Sequence, residues 1–302
     1  MIANERNTSQ SLIILSFFII YVVWGSTYLA SYFALQQVPA FRLCGIRYIS
    51  ASIMALSITL LLFSPKVPKI KKIYNAFIAG FVFMGLGTGG AIWALNYLDT
   101  GLTALIISAE PLVIVLMMWV VNAKRPSLQA FGGIALGIAG MALLVSQKSI
   151  VSTPNQWFGI IVIGLSMLAW GGGSIFVSKA ELPENSWTSS TIQMFSGGVT
   201  TLLISVILGE TGEGFATWTS KTWLSLAYLI VFGSVIAFTA FNFLLRNVST
   251  EKVATNTYVN PIIAMFLGYQ FNDELITPLS IIAAVIMLLG VFVINSNKNS
   301  QA

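Results

Sequence analysis

The sequence predicts an all-α membrane protein: ten transmembrane helices arranged as two inverted five-helix repeats, residues 1–150 and 151–302. Three observations lead there. Of the 302 residues, 56% are hydrophobic and 8% charged, whereas about a quarter of a soluble chain is charged. The apolar residues gather into ten runs, each near the roughly 20 residues that a helix needs to cross about 30 Å of hydrocarbon. The third observation is internal repetition: VWGSTYLASYFA at 23–34 returns as AWGGGSIFVSKA at 169–180, and GLTALIISAEPLVIVLMMW at 101–119 returns as EKVATNTYVNPIIAMFLGY at 251–269.

The register of the repeat is tighter than its identities. At an offset of 146, Trp24 meets Trp170, Gly25 meets Gly171, Gly87 meets Gly233 and Asn96 meets Asn242. From Ala104 onward the offset is 150, pairing Ala104 with Ala254, Pro111 with Pro261, Asn122 with Asn272 and Gly140 with Gly290. The four extra residues fall in the polar stretch Arg246 to Thr250. A duplicated module with one loop insertion explains both offsets.

The expected spans are 12–35, 41–63, 74–96, 102–121, 128–146, 157–179, 189–208, 222–244, 253–271 and 278–295. Glycine and polar residues interrupt the first and the sixth. The fourth and the ninth each carry a proline, Pro111 and Pro261. In the fifth, Gly133 and Gly137 form a Gly-x-x-x-Gly face, which serves close helix packing or a contact between two copies, so both a monomer and a homodimer stay open. Continuous runs exclude the alternating ten-residue pattern of an outer-membrane barrel. The first span exceeds a signal-peptide core and lacks a small-residue cleavage site, so it is retained. Five spans per module, an odd number, bring the second copy into the membrane from the opposite face.

Basic residues are held on the cytoplasmic side. With both termini inside, Arg6, Lys66, Lys69, Lys71, Lys72, Lys124, Arg125, Lys179, Arg246, Lys252 and Lys298 lie inside, and Arg42, Arg47, Lys148 and Lys221 outside, eleven against four. The net charge of +5 is therefore the positive-inside bias and not a nucleic-acid surface. A lone cysteine, Cys44, allows no internal disulfide, and a chain without histidine has few metal ligands; no cofactor is expected. Gly85-Leu86-Gly87-Thr88-Gly89-Gly90 satisfies a dinucleotide fingerprint on paper, yet that motif needs a strand before it and a helix after it in a soluble unit. Here it lies inside an apolar span.

The Trp-Gly-Ser-Thr of the first span, Arg47-Tyr48 of the second, Ala-Leu-x-x-x-x-Glu-Pro of the fourth and their echoes resemble the ten-helix EamA-type branch of the drug/metabolite transporter superfamily. The resemblance covers nearly the whole chain. It implies an exporter of small metabolites with a central cavity lined mainly by spans 1 to 4 and 6 to 9. Departures are Gln193 at the position of Arg47 and Asn260 at that of Glu110, which argue against a symmetric two-carboxylate mechanism.

Glu110 stands out. At 1.5 Å per residue it lies about 13 Å into its span, near the midplane, where an ionised side chain costs on the order of 3 kcal/mol unless paired, hydrated or protonated. It binds a substrate amine or a coupling proton, or it is a protonated structural acid beside a proline. Arg47, about 9 Å into its span, is within reach of Glu110, or extends its stem to the outer headgroups, or takes a substrate carboxylate while Glu110 takes the amine. Trp24 and Trp170 come out near the midplane from opposite faces, away from the interfacial belt where Trp157, Trp187, Trp218 and Trp223 fall. Their flanks, Gly25-Ser26-Thr27 and Gly171-Gly172-Gly173-Ser174, expose backbone groups, tolerable where a helix faces protein or water. Tyr258 and Asn260, just before Pro261, complete the expected substrate site: Trp24, Thr27, Arg47, Glu110, Trp170, Tyr258 and Asn260. Asn96, Asn242, Gln193 and Asn256 read as hydrogen-bonding glue between helices.

The function these features predict is export of small organic metabolites, amino acids or related amphiphiles, across a bacterial inner membrane, with a proton as candidate coupling ion. The bilayer and the transported small molecule are the expected partners. A broad-specificity drug efflux pump and a non-transporting membrane scaffold are the rival readings.

Overall fold

The computed structural model describes residues 2–63, 67–94, 96–97, 106–107, 110–122, 127–146, 154–271 and 277–295. The loop cations Lys66, Lys124, Arg125, Lys148 and Lys298, and the repeat positions Ala104 and Asn272, lie outside the described residues. What is described is helical, and it falls where the apolar runs are. The helices are α1 (Ile2–Leu35), α2 (Ala40–Phe63), α3 (Ile70–Gly80), α4 (Gly89–Ala94), α5 (Glu110–Asn122), α6 (Leu128–Val145) and α7 (Pro154–Lys179). They continue with α8 (Ser186–Ile207), α9 (Ser220–Tyr228), α10 (Ala237–Asn247), α11 (Thr250–Val253), α12 (Asn256–Phe271) and α13 (Pro278–Asn295).

Two segments, Phe81–Thr88 and Leu229–Ile236, are wound as π-helix and join α3 to α4 and α9 to α10 into single rods. Each contains one member of the Gly87–Gly233 pair. Among the described residues, six helices are long and apolar enough to cross a membrane: 10–35, 40–63, 70–94, 157–179, 186–207 and 220–247, with mean hydropathy from 1.4 to 2.1. Leu128–Gly140 and Pro278–Val293 are shorter apolar helices. The chain is thus a multi-pass membrane protein. Its outer faces agree, since Leu61, Val120, Ile207 and Phe292 expose most of their surface, as lipid-facing residues do.

Small residues let the helices close on one another without a hydrophobic drive from water. The expected Gly133/Gly137 face is spent inside the chain. A side chain at Gly290 of α13 would meet the Gly133 carbonyl at 2.7 Å and the Gly137 nitrogen at 2.9 Å, and one at Gly137 would run into the Tyr258 ring. α6 therefore pairs with α13, and α2 with α8. The remaining pairings come in matched sets: α1 lies against α9, α10 and α12, and α7 against α3, α4 and α5.

Helix ends are satisfied locally and across the repeat. Asn185 caps α8 by accepting the Trp187 and Thr188 N–H groups at 2.8 and 3.3 Å. The first N–H groups of α2, which have no partner inside the helix, reach the other half: Phe41 and Arg42 donate to the Glu210 carboxylate at 3.2 and 2.9 Å. Where a continuous ninth span was expected over 253–271, the helix is broken at residues 254–255 between α11 and α12. Tyr21 of α1 hydrogen-bonds Thr255 there, at 2.7 Å.

Two interlocks tie loops of one half to loops of the other. In the first, Gln37 donates to Glu213 at 2.7 Å and accepts from Thr219 N–H at 2.9 Å and the Thr222 hydroxyl at 2.6 Å. In the second, Lys71 pairs with Glu181 at 2.9 Å and Lys72 with Glu184. Asn75 donates to the Glu181 carbonyl at 3.1 Å, and within the second half Arg246 holds the same loop by donating to the Pro183 and Glu184 carbonyls at 2.9 and 3.0 Å. Lys71 and Lys72 hold the Glu181 and Glu184 carboxyls below the usual carboxylate range by hydrogen bond and charge.

Candidate functional site

α1, α2, α7 and the second π-segment converge at the centre of the molecule. Trp24 and Trp170 meet there, ring centroids 5.7 Å apart and 71° between planes, the edge-to-face arrangement that aromatic quadrupoles favour. Phe83 and Phe241 complete the cluster: Phe83 lies 4.9 Å from Trp170, and Phe241 lies 5.0 Å from Trp24 and 5.5 Å from Trp170. The Trp24 indole N–H donates to the Gly233 carbonyl at 3.0 Å. In the mirrored position, a side chain at Gly87 would meet Trp170 at 3.3 Å. Each tryptophan thus packs on the other half's π-segment glycine.

Arg47 is buried, 7% exposed, so it does not extend to headgroups. Its Nε donates to the Ser234 hydroxyl at 2.7 Å, which in turn donates to the Leu229 carbonyl at 3.0 Å, and its guanidinium lies 5.1 Å from the Tyr48 ring centroid. Arg47 does not form an ion pair with Glu110, unlike the lysines and glutamates of the second interlock. Thr27 bonds its own helix, donating to the Trp24 carbonyl at 2.7 Å, and turns its methyl toward Gly233 beside Arg47. Trp24, Thr27 and Arg47 are therefore brought together around Gly233 and Ser234, and Trp170 joins them through Trp24.

Glu110, Tyr258 and Asn260 form a second group by character. Glu110 opens α5 and is 6% exposed; Tyr258 and Asn260 are equally buried. One side-chain oxygen of each, Glu110 Oε1, Tyr258 Oη and Asn260 Oδ1, is buried without a hydrogen-bond partner. Leaving a buried polar group unpaired costs about 1–3 kcal/mol, and Gln193 Oε1 and Thr239 Oγ1 are in the same state. Asn260 sits where α12 leans on Gly25 of α1, and a side chain at Gly25 would meet the Asn260 carbonyl at 3.1 Å. The matched contact is α5 on Gly171 of α7, through Ile114.

Gln193, at the position of Arg47, does hold helices together. Its Nε2 donates to Ser189 at 3.0 Å and to Asn242 at 3.2 Å, and Asn242 donates to Ser190 at 3.1 Å. Sequence reading missed Ser234, Phe83 and Phe241, for which burial in a shared cluster is the signal and sequence spacing carries none.

The family profile described as the EamA-like transporter family matches this chain twice, over residues 11–146 and 157–296. The chain belongs to the EamA-like transporter family. Two EamA matches in one chain agree with the internal repetition read from the sequence. The chain is 29% identical over 282 residues to the uncharacterized inner membrane transporter YedA of Escherichia coli (strain K12), covering 93% of this chain and 90% of that relative. It is 26% identical over 308 residues to the uncharacterized transporter YvbV of Bacillus subtilis (strain 168), covering 97% and 94%. One solved crystal structure superposes with a TM-score of 0.77 at 17% identity, over 94% of this chain and 96% of its own, which establishes a shared fold.

Proposed function

We propose that this EamA-family protein is a secondary transporter exporting small organic metabolites from the cytoplasm of a bacterium, with its ten spans forming two inverted repeats that alternate about a central site. Both termini are cytoplasmic in this reading. The observation that carries it is a centre built from both halves: Trp24 of one half donates to the Gly233 carbonyl of the other, and Trp170 lies 3.3 Å from where a side chain at Gly87 would sit. Repeats inverted about an in-plane axis recur in transporters, with the substrate site at the repeat interface.

The two interlocks support the same reading. Under the repeat offset of 146, the loop bearing Gln37 maps onto the loop bearing Glu181 and Glu184, and the segment bearing Lys71 and Lys72 maps onto that bearing Thr217 and Thr219. They are therefore equivalent latches, one on each side of the membrane, and opening them in turn would expose the centre to each side.

Arg47 is the group for a substrate carboxylate, with Trp24, Thr27 and Trp170 as the wall, and Glu110, Tyr258 and Asn260 supply polar contacts near the midplane. Glu110 is the candidate carrier of a coupling proton. The test is a metabolite profile of the medium around cells with and without the protein, followed by purified protein in liposomes with the compound that accumulates. No difference between the two media removes the transport reading.

A further inference from the structure

Thr88 and Ser234 hold the same place in the two halves. They are partners at the offset of 146, and each lies in its π-segment one residue after the glycine of the Gly87–Gly233 pair. Their side chains make the same bond. The Thr88 hydroxyl donates to the Phe83 carbonyl at 3.4 Å and the Ser234 hydroxyl to the Leu229 carbonyl at 3.0 Å, and Phe83 and Leu229 are again partners at 146. Both bonds reach five residues back. In α-helical turns of this chain hydroxyls reach four, as Thr59 does to Ala55 at 2.6 Å, Ser174 to Trp170 at 2.9 Å and Thr201 to Gly197 at 2.9 Å. A carbonyl five residues back comes under a hydroxyl in the wider π-turn, so these two bonds belong to the π form of their segments.

Both hydroxyls also face α2. Ser234 accepts the Arg47 Nε–H at 2.7 Å, and the phenol of Tyr48, the next residue of α2, interacts with the Thr88 side chain. One residue pair of one helix thus addresses both π-segments. The counterparts in the second half do otherwise: Gln193 donates to Ser189 and Asn242, and Met194 is apolar. Because a guanidinium is planar, the bond at Nε fixes its plane, with Nη2 3.0 Å from where a side chain at Gly233 would begin. A π-turn holds one residue more than an α-turn. Losing that residue would turn one side of the segment against the other by about 100°, at roughly 3.6 residues per turn, and carry Ser234 off Arg47.

We infer that Thr88 and Ser234 are matched positioning residues of the transport site: each keeps its own π-segment wound, and Ser234 aims the Arg47 guanidinium. The inference rests on the transporter reading above, in which Arg47 takes a substrate carboxylate. Neither hydroxyl touches substrate; each acts through the backbone of its segment, and Ser234 through Arg47 as well. Their roles are unequal. Ser234 makes the shorter back-bond and holds a charged partner, and bonds to charged groups are the stronger ones, so the second π-segment is the more tightly held.

Hydrogen–deuterium exchange of the purified full-length protein in detergent, followed by mass spectrometry, reads each segment separately. Ser234→Ala should speed exchange of residues 229–236 about tenfold, the worth of one bond to a charged group, and leave 81–88 as it was. Thr88→Val should speed exchange of 81–88, by less, and leave 229–236; Thr88→Ser, which keeps the hydroxyl, should restore protection. If Ser234→Ala yields no folded protein, Arg47→Met tests the same bond from its other end and should speed 229–236 alone. In liposomes, with the compound that accumulates in the medium as probe, Ser234→Ala should raise KM about tenfold, whereas Thr88→Val should lower the maximal rate and keep KM within about twofold. Unchanged exchange in the substituted segment overturns the inference, as does equal speeding of both segments by either substitution. Faster exchange with unchanged KM shows that Ser234 serves the helix alone; it overturns the aiming of Arg47 and leaves the transporter reading standing. Unsubstituted protein that moves nothing, in cells or in liposomes, overturns the transporter reading and the positioning role with it.

Discussion

Arg47 keeps its charge inside the protein with one hydrogen bond, to Ser234, and an aromatic face, Tyr48. A hydrogen bond to a charged group is worth about 1.5–3 kcal/mol. Ser234→Ala should therefore lower unfolding stability by about that much, whereas in an Arg47→Gln background the same change should cost far less. A double-mutant cycle of thermal or denaturant unfolding measures this coupling, and additive effects would show that the bond is idle. Trp24 poses a different question, because its ring packs against Trp170 and Phe241. Trp24→Ala should cost about 3–5 kcal/mol as a large cavity. Trp24→Phe keeps most of the packing but loses the donor to Gly233, so it should stay folded and transport poorly, as read by export from cells. The residue types and their order along each span were legible in the sequence. The direction in which each side chain points was not. Arg47 and Glu110 were within reach by height alone, yet Arg47 turns to Ser234, 187 positions away.

The π-segments are the elements that composition cannot reveal, since a wider turn leaves no mark on hydropathy. Apolar runs located α2, α7, α8 and α13 to within a few residues, and the C-terminal end of α1, because the bilayer demands such runs, but α1 begins ten residues earlier than its run and Phe81–Thr88 and Leu229–Ile236 read as ordinary helix. Such segments are frequent at functional sites, and here the first sets Gly87 beside Trp170 and the second offers the Gly233 carbonyl to Trp24. The two glycines are not equally crowded. A Cβ at Gly233 would meet the Thr27 methyl at 2.8 Å and the Arg47 guanidinium at 3.0 Å, whereas one at Gly87 would meet Trp170 at 3.3 Å. Gly233→Ala should accordingly lower the unfolding temperature more than Gly87→Ala. The reverse order would mean that the second π-segment yields more easily than its packing implies.

At the scale of the whole molecule, the alternation we propose turns on the two latches. Lys71–Glu181 and Lys72–Glu184 are solvent-exposed, so salt screens them and their contribution to stability is small. Both carboxyls have folded-state pKa values below their unfolded ones. Their stabilising effect is thus present above the unfolded pKa and lost as pH falls through the folded one. Acidification through the carboxylate range, or added salt, should loosen this latch and leave the hydrogen-bonded Gln37 latch in place; spin labels across each measure the separation. Duplication was legible at this scale because it is written in the register, and the family profile matches the chain twice. The latches were not, since they join loops from different halves whose pairing depends on how the halves dock.

The most direct measurement of alternation places cysteines across the Gln37 latch, Gln37→Cys with Thr222→Cys, joins them in intact cells with a short membrane-impermeant bis-maleimide, and follows release of the exported metabolite. The account predicts that the reagent reaches both positions from outside, that joining them stops export, and that single-cysteine variants treated alike continue to export. Undiminished export from the cross-linked protein would contradict alternation about a central site.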